Sequence, residues 1–576
     1  MATRVLPKGF NLIRESFDYT TKNYPEKIGF EEKRPGFENY RQIKYKTFRE
    51  DVTSFGAALI EKLNLKGEKI LVIGENSYEW AVCYYAVTCG VGIMVPLDKE
   101  LPANEIENLA RRSRAKAICY SSRKRDVVNN IRGKLPDLEY YIELYSDENP
   151  MENPAKEDKD FTFDELRDYG KDLDESILMD VPIDPDEFKL LFFTSGTTAE
   201  SKGVMLTNRN LMSNASAAIK LVHLYEEDKF FSVLPIHHAY ESTIGMVIPV
   251  YCGITIAYAC GLKTFKADIK ETSPSVMLVV PALAENLIKT INKQITKQGK
   301  DKLVNAVISI TNKLGPIGRK LKLKLLKEIH ANLGGRVRII VSAAAPIDPD
   351  AGRRIEDFGI MFIQGYGLTE TSPLSCLIPH TDRRPDSVGV AAECCEVKIH
   401  EPNEEGIGEV WIKGENVTSG YYENEEETKK AFTDGWFHSG DLGYIDKTGF
   451  LYLTGRCKNL IITGNGKNVY PEEIENLINK IPEVNESLVY GADDPKDPKE
   501  QIIAVKVTLD ENLIKEKYGK DRPTDEELHN IIWEQIKEVN KTLVTYKWVK
   551  ALEVKKEDFA KTTTMKIKRF EELKKK

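Results

Sequence analysis

Cysteine and histidine are scarce in this chain, which has nine cysteines and eight histidines among 576 residues. The cysteines include an adjacent pair, Cys394 and Cys395, but no Cys-x-x-Cys sequence. Because a disulfide framework and a zinc site both require cysteines at short, regular spacings, neither is expected. The cysteine content instead favours a reducing, cytoplasmic compartment.

An excess of positive charge is also lacking, since 82 basic side chains face 90 acidic ones and the net charge is −8. Proteins that coat a nucleic acid duplex neutralise its phosphates with clustered lysine and arginine, so the composition predicts no nucleic-acid partner. The charge is distributed unevenly, however, because residues 541–576 contain twelve basic and five acidic side chains. This basic tail is either a solvated surface or a cap over a polyphosphate substrate.

Long hydrophobic runs of the kind that cross a membrane are missing as well. Two uncharged stretches, residues 80–97 and 243–262, approach that length, but glycines interrupt both and the second contains Pro249. We therefore predict a buried helix followed by a buried strand in each stretch. The first residues lack the apolar core of a secretory signal, and no amphipathic anchor is apparent.

The sequence does contain a repeated alternation of strand-like and helix-like segments. Short apolar strands are predicted at residues 69–74, 92–97, 115–120, 276–280, 338–342 and 361–364, with helical stretches between them. Such alternation indicates an α/β fold with parallel sheets covered on both faces. Hydrophobic residues make up 41% of the chain and charged residues 30%, which is typical of a folded protein of roughly two to four domains.

The pattern changes toward the end of the chain. Residues 409–414 and 449–454 form short, turn-separated strands that predict a small, largely antiparallel β subdomain. An amphipathic helix from Tyr470 and strands at 486–491 and 501–509 then begin a new unit. These changes predict an N-terminal domain over residues 1–455 and a C-terminal domain over residues 456–576.

The strongest local signal follows the apolar strand at residues 189–193. It is a loop of small, hydroxyl-bearing residues with one lysine, comprising Thr194, Ser195, Gly196, Thr197, Thr198, Ala199, Glu200, Ser201, Lys202 and Gly203. Backbone N–H groups, hydroxyls and a lysine suit a phosphate chain. A plain surface loop is one alternative. A P-loop NTPase is another, but the Gly-Lys-Ser/Thr step into a helix is missing.

Two further motifs carry groups suited to a nucleotide. The first, after a predicted strand, comprises Gln364, Gly365, Tyr366, Gly367, Leu368, Thr369, Glu370 and Thr371. Its aromatic ring can lie against a base, while threonine and glutamate can reach a phosphate and its Mg²⁺. In the second, at residues 434–443, Asp441 is predicted in a glycine-bounded turn, where its carboxylate could accept two ribose hydroxyls. Turn geometry alone could also explain that aspartate.

In this order and at this spacing, the three motifs resemble those of the adenylate-forming superfamily of acyl-CoA synthetases, luciferases and peptide-synthetase adenylation domains. The resemblance extends from about Tyr45 to Arg569. It implies a large N-terminal domain of α/β subdomains plus a β subdomain, followed by a small mobile α+β C-terminal domain. It also implies ATP, Mg²⁺ and coenzyme A as cofactors or co-substrates.

The resemblance assigns a role to each motif residue. The loop with Thr194, Ser195, Gly196, Thr197, Thr198 and Lys202 would hold the β- and γ-phosphates. Tyr366 would stack on adenine, in a pocket with Ala344, Ala345, Pro346, Gln364, Gly365 and Gly367. Thr369 would touch the α-phosphate, and Glu370 would hold Mg²⁺ with Thr194. Asp441 and Arg456 would bind the ribose hydroxyls.

The resemblance also places a hinge and a catalytic lysine in the C-terminal domain. Lys458 falls at the family hinge, about which the small domain would rotate. Lys566, within the basic tail, matches the lysine that stabilises the adenylation transition state. Attack of a carboxylate on the α-phosphate brings two anions together, so catalysis needs cationic stabilisation. Rotation at the hinge would supply a different lining for the later attack by a thiol.

This sequence departs from the family pattern at several positions. The phosphate loop has Ala199 where glycine is usual and Ser201 where proline is common. The segment at residues 342–346 has alanines in place of a glycine pair, and Met565 stands where glycine generally precedes the catalytic lysine. Each change reduces backbone freedom, but none removes a functional side chain.

The segment at residues 234–241 resembles its counterpart in long-chain fatty acyl-CoA synthetases. There His238 would lie at a lid beside the acyl site and bind substrate. A metal site at His237, His238 and Glu241 is not favoured, because no further ligand cluster is nearby in the sequence.

Three functions remain open from the sequence. An acyl-CoA ligase that activates a long-chain fatty acid is favoured. The alternatives are an acyl-adenylate ligase that loads an acyl carrier protein, and a nucleotide-binding homologue without turnover. A peripheral contact with a membrane is chemically sensible because fatty acids partition into bilayers. The oligomeric state is not indicated.

Overall fold

The structure is a computed structural model that describes residues 3–34, 37–145, 158–194, 201–345, 347–463, 467–494, 501–562 and 566–574. The chain folds into two compact units. The first unit comprises Met1–Val397 and Ile412–Phe437, and the second comprises Lys398–Trp411 and His438–Lys576. The chain passes between them within the strands Cys395–His400, Gly408–Gly414 and Trp436–Ile445. The hinge at Lys458 and a domain boundary beside it stay predictions.

The first unit contains a seven-stranded sheet. Its strands lie in the order Asp160–Thr162, Tyr140–Tyr145, Ala117–Ser121, Lys69–Ile73, Ile93–Leu97, Phe188–Thr194 and Lys202–Thr207. All neighbours are parallel except the last two strands, which form an antiparallel pair. The parallel strands follow the predicted alternation with helices, as expected for an α/β fold.

A nine-stranded sheet forms the rest of the framework of the first unit. Its order is Val390–Ala391, Cys376–Leu377, Met361–Tyr366, Ile339–Ser342, Val276–Val279, Lys229–Ser232, Thr255–Tyr258, Ile28–Glu32 and Arg41–Lys44. The six central strands are parallel, and the three outer ones are antiparallel to their neighbours. The carboxyl ends of the parallel strands therefore share one edge of the sheet.

Helices cover both faces of these sheets. The α-helices of the first unit are Ile13–Asn23, Tyr45–Glu61, Tyr78–Ala86, Ala103–Ser113, Arg125–Ile131, Phe163–Gly170, Ser176–Met179, Asn208–Leu221, Ile248–Cys252, Phe265–Thr272, Pro281–Lys297, Asp301–Asn312, Gly315–Leu325, Lys327–Asn332, Pro349–Asp357 and Glu425–Ala431. Shorter 3₁₀ turns occur at Ser122–Lys124 and Thr369–Thr371, and π-helical segments occur at Val87–Val91 and Tyr240–Val247.

The apolar core of the first unit follows the two-residue period of its strands. Ile339 and Val341 belong to the core between the two sheets, whereas Ile340 faces a second core on the outer side of the nine-stranded sheet. Likewise, Ile70 faces the shared core and Leu71 faces a third core outside the seven-stranded sheet. Strands buried on both faces explain why the predicted strands are continuous apolar runs.

The two long uncharged stretches fold as predicted. Residues 80–97 contain the end of helix Tyr78–Ala86 and the strand Ile93–Leu97, and residues 243–262 contain helix Ile248–Cys252 and strand Thr255–Tyr258. No helix within the described residues combines the length and the apolar character that crossing a bilayer requires.

The second unit has its own sheet and core. Strands Val484–Asp493, Gln501–Leu509 and Val549–Lys555 form a three-stranded sheet. Further strands are Leu451–Arg456, Ile461–Ile462 and Asn468–Val469; the α-helices are Pro471–Ile478, Glu511–Tyr518, Asp525–Lys541 and Arg569–Lys574; and 3₁₀ turns occur at Cys457–Asn459, Gly519–Asp521 and Thr545–Lys547. The predicted helix after Tyr470 and both predicted long strands are confirmed.

Part of the basic tail is packed into the second unit. Lys555 forms an ion pair with Glu572, whose side chain is almost fully buried. Arg569 lies 2.7 Å from Glu475, and Lys561 lies 2.7 Å from Glu486. Several positive charges of the tail are therefore balanced by carboxylates of the same unit.

Candidate functional site

The predicted phosphate loop connects two antiparallel strands. Thr194 ends one strand and faces Lys202, which begins the next, and the Thr194 hydroxyl lies 3.4 Å from the Lys202 carbonyl oxygen. Ser195, Gly196, Thr197 and Thr198 lie outside the described residues. Because the loop leads into a strand, it lacks the helix that follows a Walker phosphate loop.

A chain of polar contacts links Lys202 to Glu370. The Lys202 ammonium forms an ion pair with Glu427 and lies 4.7 Å from the centre of the Tyr421 ring. The Tyr421 hydroxyl donates a 3.0 Å hydrogen bond to a carboxylate oxygen of Glu370. Hydrogen bonds from Lys202 and Lys430 lower the pKa of Glu427 to about 2. The predicted phosphate lysine and the predicted metal-binding carboxylate therefore share one polar network.

The turn that carries Thr369 and Glu370 is held by close backbone packing. At Gly367, a Cβ atom would lie 1.9 Å from the Pro373 carbonyl oxygen, so only glycine fits. The Thr371 hydroxyl accepts a 2.9 Å hydrogen bond from the Leu368 N–H. Glycine at this position thus lets the chain fold back tightly after the strand Met361–Tyr366 and present Thr369 and Glu370 at its end.

Two buried asparagines, which the sequence analysis missed, fix the same turn. The side-chain amides of Asn214 and Asn416 each donate to the Leu374 carbonyl at 2.7 Å and to the Thr371 carbonyl at 3.2 Å. Neither asparagine is part of a motif, and their contacts span 157 and 45 residues of sequence to Thr371. Tyr421 and Glu427 were missed for the same reason.

The predicted adenine pocket uses the carboxyl ends of adjacent strands. Ala344 and Ala345 follow the strand Ile339–Ser342, which pairs with the strand Met361–Tyr366 that contains Gln364, Gly365 and Tyr366. Gln364 and Tyr366 are buried. Ala344 has a φ of 76°, in the left-handed region that favours glycine. Pro346 lies outside the described residues.

The segment that contains His238 lies at the carboxyl end of the strand Lys229–Ser232. The rings of His237 and His238 are 4.2 Å apart. Asn76, at the carboxyl end of a strand of the other sheet, donates to the Leu234 carbonyl at 2.7 Å and accepts from the Ile236 N–H at 3.1 Å. This asparagine therefore anchors the segment from the seven-stranded sheet, and sequence reasoning did not identify it.

The buried acid of this segment, Glu241, is a poor metal ligand. It is 1% exposed, and burial raises its pKa to about 8. A hydrogen bond with the Ser232 side chain opposes this shift only in part. The pKa of the buried His237 is well below its ordinary value because of burial and the neighbouring His238. At neutral pH, both side chains are therefore uncharged.

The donors at the front of the site suit a magnesium ion. Mg²⁺ prefers oxygen ligands and is commonly held by one or two carboxylates together with phosphate oxygens. The Glu370 carboxylate and the Thr194 hydroxyl are donors of this kind, and Glu370 is half-buried and oriented by Tyr421. Among the described residues, no cluster of three or more His, Cys, Asp or Glu side chains could hold a metal without such phosphates.

The predicted ribose-binding residues lie together in the second unit. Asp441 and Arg456 are directly opposite each other on adjacent antiparallel strands, with Nε of Arg456 2.8 Å from a carboxylate oxygen of Asp441. The prediction that Asp441 lies in a turn is wrong, because the residue is inside the strand Trp436–Ile445. The preceding Gly440 belongs to the same strand but has a φ of 69°, in the left-handed region that favours glycine.

Lys566 lies near the same pair. Its backbone N–H donates to the Thr562 hydroxyl at 3.2 Å, and its carbonyl accepts from the Thr562 N–H at 2.8 Å. The residue as a whole is accessible to solvent, whereas protein atoms crowd its ammonium group. This desolvation and the charge of Arg456, opposed by Asp441, lower the pKa of Lys566 to about 8. Lys458 lies on an exposed 3₁₀ turn.

Within each unit, the structure thus brings predicted site residues together: Lys202 is linked to Glu370 in the first unit, and Asp441 pairs with Arg456 in the second. The sequence profile of a family described as AMP-binding enzyme matches residues 17–422, about 70% of the chain. The chain belongs to the AMP-binding enzyme family. The roles of individual residues in this AMP-binding enzyme are predictions that this match does not test.

Individual relatives agree with the family assignment. The long-chain-fatty-acid–CoA ligase FadD15 of Mycobacterium bovis is 26% identical over 540 residues, which are 87% of this chain and 86% of that protein. Fatty acyl-CoA synthetase B of Dictyostelium discoideum is 27% identical over 507 residues, covering 83% and 75%. These relatives are similar to this AMP-binding enzyme along most of its length.

A solved structure shows the same fold. The ATP-bound MatB from Rhodopseudomonas palustris superposes with a TM-score of 0.74 at 22% identity, over 97% of each chain. At this identity the likeness concerns the fold, and it confirms the predicted α/β architecture of the AMP-binding enzyme.

Proposed function

We propose that this protein is an ATP-dependent long-chain fatty acid–CoA ligase that forms an acyl-adenylate and transfers the acyl group to coenzyme A. The observation that carries the proposal is the network from Lys202 through Tyr421 to Glu370. It joins the predicted phosphate-binding lysine to the predicted metal-binding carboxylate in a chain of the AMP-binding enzyme family. Two relatives are named as a long-chain-fatty-acid–CoA ligase and a fatty acyl-CoA synthetase. Their names support a fatty acid as the substrate and coenzyme A as the acceptor.

ATP binding is assigned to residues of both units. Lys202 would exchange Glu427 for the β- and γ-phosphates, assisted by the loop residues Thr194 to Thr198 and their backbone N–H groups. Tyr366 would stack on adenine at the strand ends beside Ala344 and Ala345. Asp441 would accept hydrogen bonds from the ribose hydroxyls, and Arg456, its ion-pair partner, would orient it.

Adenylation requires stabilisation of charge on the α-phosphate. The fatty acid carboxylate attacks the α-phosphorus and pyrophosphate leaves, so negative charge develops on the phosphoryl oxygens. Thr369 would donate a hydrogen bond to these oxygens, and the Lys566 ammonium would neutralise them. A bound Mg²⁺, held by Glu370 and Thr194, would supply electrostatic stabilisation of the phosphates.

The acyl group is assigned to the segment after the strand Lys229–Ser232. His238 would form a lid beside it, packed on His237. The low charge of Glu241 and His237, which are neutral at physiological pH, suits an alkyl chain. The protein would then release AMP as the thiol of coenzyme A attacks the acyl carbonyl, after rotation of residues 456–576 at Lys458.

The location and partners of the enzyme are part of this proposal. We place it in the cytoplasm, in peripheral contact with a membrane that supplies the fatty acid. Coenzyme A is the proposed acceptor, and an acyl carrier protein is the alternative that the experiment below distinguishes.

The proposal is tested by measuring pyrophosphate release across a series of acids from acetate to C18, with and without coenzyme A. We expect release to require ATP, Mg²⁺ and an acid, to be highest with long chains, and to yield acyl-CoA in thin-layer chromatography. If the acyl group were transferred to holo carrier protein but not to coenzyme A, the carrier protein would be the acceptor. Failure to release pyrophosphate with every acid would leave a nucleotide-binding protein without turnover.

A further inference from the structure

An unusually apolar surface lies on two helices of the first unit. The helices Asp301–Asn312 and Gly315–Leu325 join the strand Val276–Val279 to the strand Ile339–Ser342, together with two other helices. Large apolar side chains project from them into solvent, with Ile310 63% exposed and Ile317 69% exposed. We call this set the apolar face; it consists of Leu303, Ile310, Ile317, Leu321 and Leu325.

The second of these helices is inverted in that Arg319 and Lys322 face the protein, whereas its large apolar side chains face solvent. Arg319 donates to the carbonyl oxygens of Gly359 at 3.0 Å and Arg338 at 3.1 Å. The buried Lys322 donates to the side chain of Asn312 at 2.5 Å and to the Glu356 carbonyl at 3.1 Å. These bonds fix the rotation of the helix about its axis.

Close packing with the preceding helix also fixes this orientation. A Cβ atom at Gly318 would lie 1.8 Å from the Thr311 carbonyl oxygen, so the two helices touch at this glycine. Val304 and Ile308 of the preceding helix are buried in the core on the outer side of the nine-stranded sheet. The exposed leucines cannot turn inward without breaking these contacts, and large exposed apolar patches mark interaction surfaces.

The apolar face is surrounded by positive charge. Residues 300–327 contain eight basic side chains and one acidic side chain, an excess of seven in a chain whose net charge is −8. The exposed members are Lys302, Lys313, Lys320, Lys324 and Lys327. No carboxylate in the described part of the chain forms an ion pair with any of these five lysines.

We propose that the apolar face docks on a bilayer surface that contains anionic lipids. The leucines and isoleucines would enter the boundary between headgroups and acyl chains, while the lysines would contact lipid phosphates. A second copy of this chain is disfavoured as the occupant, because two such surfaces would repel each other. The inference rests on the proposed function in that a bilayer holds the long-chain acid.

Vesicle binding provides a test that needs no catalysis. The full-length protein is sedimented with phosphatidylcholine vesicles that contain either no anionic lipid or 30% phosphatidylserine, in the absence of ATP. We expect binding to the anionic vesicles that falls with added salt. The double variant Ile317→Ser/Leu321→Ser should reduce the partition coefficient by about 30-fold or more, and Lys320→Glu/Lys324→Glu by at least about tenfold.

Matched controls separate the surface from general effects. Leu262→Ser removes a side chain that is 67% exposed outside the apolar face, and Lys66→Glu/Lys447→Glu makes the same change in charge elsewhere. Both should bind vesicles like the wild type, and all variants should keep the wild-type melting temperature and ligase activity with a detergent-dispersed acid. Retained ligase activity without vesicle binding would overturn the docking proposal while leaving the proposed function intact.

Two other outcomes would also overturn it. Equal binding of neutral and anionic vesicles by the wild type and both double variants would show that the surface is not the contact. A fall in the molecular mass in solution on introducing Ile317→Ser/Leu321→Ser, without any change in vesicle binding, would assign the apolar face to a protein–protein interface.

Discussion

The residues assigned to ATP in the first unit and the catalytic lysine assigned to the second are held in place by different kinds of contact. Glu370 accepts a hydrogen bond from Tyr421, and its turn is held by Asn214 and Asn416. Lys566, by contrast, is accessible and is held mainly through its backbone contacts with Thr562. Side-chain hydrogen bonds thus orient the first group, whereas the second is held through its backbone.

This difference suits two tasks with opposite demands. Binding a nucleotide benefits from side chains that are already oriented, because less entropy is then lost on binding. A lysine that acts in one half-reaction and leaves in the next benefits from weak attachment. Variants in the first unit should therefore change the affinity for ATP, and variants at Lys566 should change the rate.

The largest effect is expected for Lys566→Ala. Removal of the cation should slow acid-dependent pyrophosphate release by about 100-fold to 1000-fold, since it acts on charge that develops in the transition state. The affinity for ATP, measured by calorimetry, should stay within about twofold. Lys568→Ala, in the same basic tail, is the control and should react like the wild type. A similar loss in both variants would contradict a specific role for Lys566.

The pH dependence of adenylation sharpens the same contrast. The pKa of Lys566 is lowered to about 8, so its ammonium is charged below that pH and neutral above it. The kcat/KM for adenylation should therefore fall about tenfold per pH unit above pH 8. Lys566→Arg should move this decline to higher pH, because arginine stays protonated. A profile that is unchanged in this variant would assign the decline to another group.

A smaller effect is expected for Tyr421→Phe, which removes the hydroxyl donor to Glu370. The KM for MgATP should rise about tenfold while kcat changes little, as expected for a group that orients a metal ligand. Tyr422→Phe serves as the control, since that ring packs on Phe188. A decrease confined to kcat would instead place Tyr421 in the chemical step.

The smallest effect is expected for Ala344→Gly. Alanine at a φ of 76° is strained, and glycine relieves that strain. The variant should be more stable to unfolding by about 0.5–1 kcal/mol, partly offset by the greater freedom of the unfolded glycine chain. Urea denaturation measures this change, with Ala345→Gly as a control that should be destabilised.

Much of the framework could be predicted from local sequence. Strands such as Lys69–Ile73 and Ile339–Ser342 are apolar runs because both faces of their sheets are covered, and glycine and hydroxyl motifs follow at the strand ends. The motif around Glu370 could be recognised because its residues are consecutive. Asp441 was misplaced because Gly440 signals a turn while the strand continues through it.

The supporting residues could not be predicted in this way. Asn214, Asn416 and Tyr421 are brought to Glu370 or its turn by tertiary structure, and nothing near them in the sequence points to a phosphate site. The apolar face was missed for a different reason. A helical pattern of leucines is normally assigned to the core, and only the contacts of Arg319 and Lys322 show that this helix is inverted.

The pairing of Asp441 with Arg456 has a consequence for timing. Asp441, the proposed ribose acceptor, forms its ion pair with Arg456. Arg456 is only two residues before Lys458, the proposed hinge. If ribose hydroxyls bind Asp441, the ion pair and the adjoining 3₁₀ turn are perturbed together. By thermodynamic linkage, rotation at the hinge must then alter nucleotide affinity to the same extent that the nucleotide alters rotation. The salt bridge between Asp441 and Arg456 would in this way couple nucleotide binding to the change from adenylation to acyl transfer.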